Sequence, residues 1–209
     1  TVAAGSGQAF SVTLNRRDGF TGPVSIQVNH LPPGWTVSGP LTIEAGHETT
    51  LGSLCAAPDA AVPGPADWDA VTVVATAEIE GRPVAMAVNG FGRPTLIRDA
   101  PRLRVRLDPL ADALVTNVAT GLSVVTVSPG GTARARLSIE RNGFEGVVTF
   151  SVDNLPHGVI VENLGLNGIT FLADENERVI SIAAARWVAD LDRPFHAVEN
   201  QAGRQTSRP

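Results

Sequence analysis

The sequence has no lysine, no tyrosine, and a single cysteine among its 209 residues. Because Cys55 stands alone, no disulfide can form within the chain, and a lone thiol on an apolar strand is typically a small buried side chain. No apolar run approaches the ~18 residues that a membrane-spanning helix needs. The sixteen cationic residues are therefore all arginine, a bias that we attribute to GC-rich codon usage and to which we assign no function.

Charge and composition narrow the class of protein further. The formal net charge is -5, with 43% hydrophobic and 18% charged residues. An acidic chain lacks the basic face of a nucleic-acid-binding protein, and this apolar content favours a folded core over disorder. The 21 glycines and 15 prolines favour short strands joined by turns over long helices.

The chain contains an internal repeat. Residues 17–35 and 141–159 align without a gap as R-x-G-F-x-G-x-V-[ST]-[IF]-x-V-x-x-L-P-x-G. Upstream, the first copy has one extra residue, which we place before Arg17 as a bulge or longer turn. Downstream, Asp67-Trp68-Asp69 falls opposite Asp190-Leu191-Asp192, and Gly81-Arg82 falls opposite Gly203-Arg204. The two copies therefore predict two similar domains.

Apolar residues recur at every second position along most of the predicted strands. This period places one face of each strand on a core and the other face in water. We predict an all-β fold of two tandem immunoglobulin-like antiparallel β-sandwich domains, residues 1–100 with the first strand truncated and residues 101–209 with the last strand truncated. Residues 103–107 should form the first strand of the second domain, and residues 108–114 one helical turn.

The identical positions of the repeat have structural interpretations. Gly19 and Gly143 supply the positive φ angle of a tight turn, and Phe20 and Phe144 then fold back to close one end of the core. The Leu-Pro-x-Gly segment makes a second turn, in which proline fixes φ and glycine ends the turn. The repeat therefore specifies an architecture and reveals no binding site.

The R-x-G-F-x-G-x-V…L-P-x-G pattern resembles the immunoglobulin-like repeats of large extracellular proteins of environmental bacteria. The resemblance covers both copies, with the specific residues in about a third of each. It implies a sandwich of about seven strands, repeated in tandem and acting as a spacer, adhesive or accessory domain. Such repeats share no catalytic residues, so the resemblance assigns none here.

No catalytic motif supports an enzyme. The sequence lacks G-x-S-x-G, H-E-x-x-H, a Walker loop and a dinucleotide fingerprint. The Gly5-Ser6-Gly7 segment lies in a turn between short strands, and the four histidines are not spaced as metal ligands. We expect His30 and His157, in the Leu-Pro-x-Gly turns, to be exposed. We therefore predict no enzymatic activity.

Paired aspartates are the strongest candidate for a metal site. Two carboxylates flanking one apolar residue would point the same way from a strand and share Ca²⁺ with loop carbonyls. The alternative is a solvated loop end whose central Trp68 or Leu191 plugs the core. The candidate ligands are Asp67, Asp69, Asp190 and Asp192. Apart from this Ca²⁺, we expect no cofactor.

Tryptophans raise the question of carbohydrate binding, because exposed aromatic rings stack on sugars. None of Trp35, Trp68 and Trp187 has a tryptophan at the matching position of the other copy. A sugar-binding face needs several aromatic rings on one surface, so we expect core or interface packing for each.

Two functional hypotheses follow. The first is a non-catalytic structural or interaction module, for spacing, display or adhesion, in a larger secreted or cell-surface bacterial protein. Its partners would be neighbouring repeats and an unidentified protein or glycan surface, with no nucleic acid and no membrane span. The alternative is a carbohydrate- or calcium-binding accessory domain of an extracellular enzyme.

Overall fold

The structure is a computed structural model that describes residues 1–110, 114–117, 122–162, 164, 168–201 and 205–207. Interatomic contacts divide the chain into two compact units, Thr1–Ala100 and Pro101–Pro209. The match of Gly81-Arg82 to Gly203-Arg204 and residues 111–113 of the predicted helical turn lie outside the described residues. No helix in the described ranges is long and apolar enough to cross a membrane.

Unit 1 consists of nine strands and one short helix among its residues, all of which are described. The elements are β1 Val2–Ala3, β2 Gly7–Thr13, β3 Val24–Asn29, β4 Trp35–Val37, β5 Leu41–Ile43, β6 Thr49–Ala56, α1 Pro65–Asp69, β7 Thr72–Ile79, β8 Arg82–Val88 and β9 Leu96–Ile97. Within the unit, one antiparallel sheet has the order β4-β6-β2 and the other the order β5-β3-β7-β8. Strand β1 pairs in parallel with β9.

Unit 2 has ten strands among its described residues. They are β10 Leu103–Pro109, β11 Leu114–Asn117, β12 Leu122–Val125, β13 Thr132–Arg141, β14 Val148–Asp153, β15 Val159–Val161, β16 Ile169–Phe171, β17 Glu177–Ala184, β18 His196–Glu199 and β19 Gln205–Thr206. Within the unit, the sheet orders are β10-β13-β17-β15 and β16-β14-β18-β19, and β11 forms an antiparallel hairpin with β12.

The strand orders of the two units correspond. Strands β2 to β8 of unit 1 pair as β13 to β19 do in unit 2, and β10 adds a further strand beside β13. Without the edge strand β16, unit 2 has the two-sheet order of an immunoglobulin constant-type sandwich. The predicted all-β sandwich fold is confirmed.

The core of unit 2 lies between its two sheets. Strand β13 alternates as predicted and buries Ala135, Leu137 and Ile139 against residues of the opposite sheet such as Phe150 and Phe171. Each fully buried Leu, Ile or Phe side chain stabilises the folded state by about 1.5–3 kcal/mol relative to its exposed form. Residues 103–107 lie in β10 and pair with β13, as predicted. The predicted helical turn is wrong at Asp108 and Pro109, which belong to the same strand.

The core of unit 1 has two clusters, both of which contact Phe10. Strand β8 forms, but the expectation that alternate residues would face the core is wrong for Val84 and Met86, which are 38% and 67% exposed. The reason is the length of the β7–β8 hairpin. Strand β3 pairs with β7 only along residues 72–76, so the distal half of the hairpin extends past its neighbour.

The turns of the repeat have the predicted backbone conformations. Gly19 and Gly143 have φ angles of 75° and 77°, and the glycines that end the Leu-Pro-x-Gly turns, Gly34 and Gly158, have φ angles of 79° and 84°. Side chains at the repeat's phenylalanine and leucine positions pack against the cores, as predicted. The paired residues are Phe20 with Phe144 and Leu31 with Leu155.

Candidate functional site

The first pair of predicted calcium ligands lies on a helix. Asp67 and Asp69 belong to α1, where residues two apart are rotated by about 200° around the axis and so do not share a face. The Asp67 carboxylate accepts a hydrogen bond of 2.7 Å from the Gly64 backbone N–H, and Asp69 pairs with Arg93 at 3.0 Å. The premise of two carboxylates pointing the same way from a strand is therefore wrong here.

The second pair lies in the loop between β17 and β18. Asp190 and Asp192 are both exposed, and so is Leu191, at 45%. The alternative in which the central residue plugs the core is thus correct for Trp68, which is 5% exposed, and wrong for Leu191. Within the described ranges, no three His, Cys, Asp or Glu side chains form a group able to hold a metal ion. The calcium hypothesis stays a prediction.

The three tryptophans divide into a buried pair and an exposed ring. Trp35 and Trp68 pack edge to face, with ring centroids 5.0 Å apart, so the prediction of core packing is confirmed for both. It is wrong for Trp187, which is 64% exposed. The indole crosses the Leu-Pro-x-Gly turn so closely that a Cβ added to Gly158 would lie 2.6 Å from the ring. The ring centroid of His157, exposed as predicted, lies 5.1 Å away.

One arginine in unit 2 fastens two loops to the end of a strand, an arrangement that we call the Arg141 clamp. The Arg141 guanidinium, at the end of β13, donates hydrogen bonds to the backbone carbonyls of Gly146 at 2.7 Å, Leu172 at 2.7 Å and Glu175 at 3.1 Å. Its Nε–H donates to Asn176 Oδ1 at 2.9 Å. Arginine suits this role because its planar group carries five donors in fixed directions.

Unit 1 contains the corresponding Arg16 clamp, and its position corrects the sequence alignment. Arg16 donates to the carbonyls of Gly22 at 2.7 Å, Glu44 at 2.9 Å and His47 at 2.8 Å, whereas Arg17 is exposed. The structural counterpart of Arg141 is therefore Arg16. The extra residue lies after this arginine, within the turn that leads to Phe20, and the prediction that placed it before the arginine is wrong.

A buried histidine lies at the start of β18. His196 is 1% exposed, and neither ring nitrogen forms a hydrogen bond of normal geometry with the described residues. Burial lowers the pKa of His196 to about 4, against the smaller opposing effects of the Ser207 backbone and the Asp153 carboxylate. The imidazole is therefore neutral at pH 7. Only its predicted lack of metal-ligand spacing was considered at the sequence level, because burial depends on distant strands.

A cleft of about 480 Å³ opens between the two sheets of unit 1. Its lining is mostly apolar, from Phe10 and Val12 on one sheet to Val28 and Val73 on the other. Phe91 closes one side, with its ring edge to face against Phe10 at 4.8 Å. Sequence patterning had no signal for this space, because it depends on which strands pair along the edges of each sheet.

Comparisons with known proteins add no further assignment. A scan against protein-family models and a search of curated proteins both find no match to this chain. The resemblance to bacterial immunoglobulin-like repeats therefore depends on the repeated motif. Functional conclusions depend on the geometry of the clamps, the exposed aromatic pair and the cleft.

Proposed function

We propose that the chain is a non-catalytic structural or interaction module of a larger secreted or cell-surface bacterial protein, which it serves as a spacer or display element. The observation that carries the proposal is the recurrence of one strand order and one arginine clamp in both units. The polar side chains around these shared features differ. What recurs is thus the means of holding a shape.

The clamps suit this role because they hold loops through the main chain. Arg16 and Arg141 each donate to carbonyls on two separate loops. Charged hydrogen bonds are about twice as strong as neutral ones, so each guanidinium opposes the separation of its loops from the strand that carries it. A module that spaces or displays other domains needs this resistance to local opening.

Single-molecule force spectroscopy tests the proposal. Stretching the chain should give two unfolding events, each releasing about 100 residues, or about 330–360 Å of extended chain. Arg16→Ala should lower the force of one event and Arg141→Ala that of the other. A single event that releases the whole chain, or unfolding without measurable resistance, would contradict a role as a mechanical spacer of two units.

A second candidate function is carbohydrate binding, favoured by the exposed Trp187–His157 pair. Two rings in contact, with one indole face in water, provide an apolar surface on which a sugar ring can stack. A glycan array should then give a signal that Trp187→Ala abolishes. Leu191→Ala, an exposed residue of the same loop, is the matched control. Absence of signal from the unaltered chain would rule this candidate out.

A further inference from the structure

The cleft of unit 1 lies where unit 2 carries an additional strand. In unit 2, β10 pairs with β13 and places Leu103 and Val105 in the core, where they are 0% and 4% exposed. Strand β10 also lies against β18 and β19 of the other sheet. It therefore covers the opening between the two sheets along that side of the sandwich.

The clamp arginines give the register between the units. Because Arg16 corresponds to Arg141, Val12 corresponds to Leu137 and Leu14 to Ile139. Strand β10 sets Leu107 opposite Leu137 and Val105 opposite Ile139. An equivalent strand in unit 1 would therefore run beside Val12 and Leu14. Among the described residues of unit 1, no strand pairs with β2 on this side.

The backbone of β2 can accept such a strand. The Leu14 N–H donates to the Glu48 carbonyl, and residues along an antiparallel strand alternate between its two neighbours. Ser11 and Thr13 therefore point their N–H and C=O groups away from β6. The cleft beside them is lined by apolar side chains from both sheets: Phe10, Val12, Ile26, Val28, Val73 and Val88.

We propose that this cleft binds an extended β-strand of a partner polypeptide, antiparallel to β2, with apolar side chains at alternate positions. The partner completes the sandwich as β10 does in unit 2. Main-chain hydrogen bonds to Ser11 and Thr13 set its direction, and alternate side chains fill the cleft, which is the physical basis of strand addition. The inference does not depend on the proposed spacer function.

The β10 sequence supplies the probe. A labelled peptide spanning residues 102–109, Arg-Leu-Arg-Val-Arg-Leu-Asp-Pro, is titrated with the full chain and followed by fluorescence anisotropy. A peptide in which serine replaces Leu103, Val105 and Leu107 is the control. We expect saturable binding of the first peptide, and binding at least tenfold weaker for the second. Hydrogen exchange at the Ser11 and Thr13 amides should slow at least tenfold in the complex.

Ser11→Pro removes one outward-facing N–H and leaves the pairing with β6 intact, so it should abolish binding without loss of fold. If that variant fails to fold, the exchange measurement on the unaltered chain decides the question. Equal binding of the two peptides, or no protection of Ser11 and Thr13, overturns the proposal. So does protection of these amides through self-association, detected by sedimentation, because the occupant would then be a second copy of this chain.

Discussion

Replacing Arg16 and Arg17 separately by alanine tests the clamp against the sequence alignment. The repeated motif pairs Arg17 with Arg141, whereas the hydrogen bonds pair Arg16 with Arg141. Arg17 is exposed and forms no side-chain hydrogen bond with the described residues. The two neighbouring arginines thus have the same side chain and opposite expected costs.

The cost of Arg16→Ala follows from its contacts. Bonds to the Gly22 and Glu44 carbonyls are partly buried, and the bond to His47 is exposed. We count about 1 kcal/mol for each partly buried bond and nothing for the exposed one. The Arg16 guanidinium lies 5.5 Å from the Phe20 ring centroid, which adds about 0.5–1 kcal/mol. The sum is about 3 kcal/mol, against less than about 0.5 kcal/mol for Arg17→Ala.

Thermal and urea unfolding measure both variants. A loss of about 3 kcal/mol should lower the melting temperature of a 100-residue unit by about 10–20 °C. Arg16→Lys keeps the charge without the planar donor group, so it should recover only part of the loss. Equal costs for Arg16→Ala and Arg17→Ala, or a cost below about 0.5 kcal/mol for Arg16→Ala, would refute the clamp.

Three further predictions follow from burial and backbone geometry. Trp68→Ala should cost about 3–5 kcal/mol in urea unfolding, because the ring packs on Trp35, whereas Trp187→Ala should cost below about 0.5 kcal/mol; similar costs would contradict this assignment. His196 is protonated near pH 6.5 when unfolded and near pH 4 when folded, so stability should fall by about 3 kcal/mol as pH drops across this window. His196→Phe should flatten that pH dependence, and an unchanged slope would count against it. Gly143→Ala meets open space at φ 77° and should cost only the ~1–2 kcal/mol of a left-handed conformation, as measured by thermal melting.

Period-two patterns predicted the strands well where both neighbours of a strand are present. Strand β13 has partners on both sides, β10 and β17, and its alternate residues are buried as expected. Strand β8 has the same kind of pattern at Val84 and Met86 but only one neighbour. A local pattern reports the tendency of a residue to be buried, and the neighbouring strands decide whether it is.

The Asp67 site was misjudged because a five-residue helix is too short to show helical periodicity. Its signals were Pro65 at the first helical position and Asp67 three residues after Gly64, which together mark a helix start. These cues fix the backbone locally and turn the two carboxylates apart. Exposure of Trp187 had no such cue, because it depends on the turn at Gly158.

The alignment error at Arg16 has a different cause. Matching letters favours Arg17, because only one residue separates Arg17 from Gly19, as Arg141 is separated from Gly143. The fold instead selects the arginine that leaves the strand in line with the carbonyls of Gly22 and Glu44. A guanidinium that bonds to main-chain oxygens tolerates one more residue in the following turn, and a sequence comparison contains no record of that tolerance.

The clamps have a consequence for protein engineering. Each one holds its hairpin loop at the first and fourth residues, Glu44 and His47 in unit 1 and Leu172 and Glu175 in unit 2, through oxygens that every amino acid carries. The two loops already share one geometry with different side chains. Randomised libraries of these four-residue segments should therefore keep the backbone in place, and each unit offers a site at which new recognition sequences can be selected.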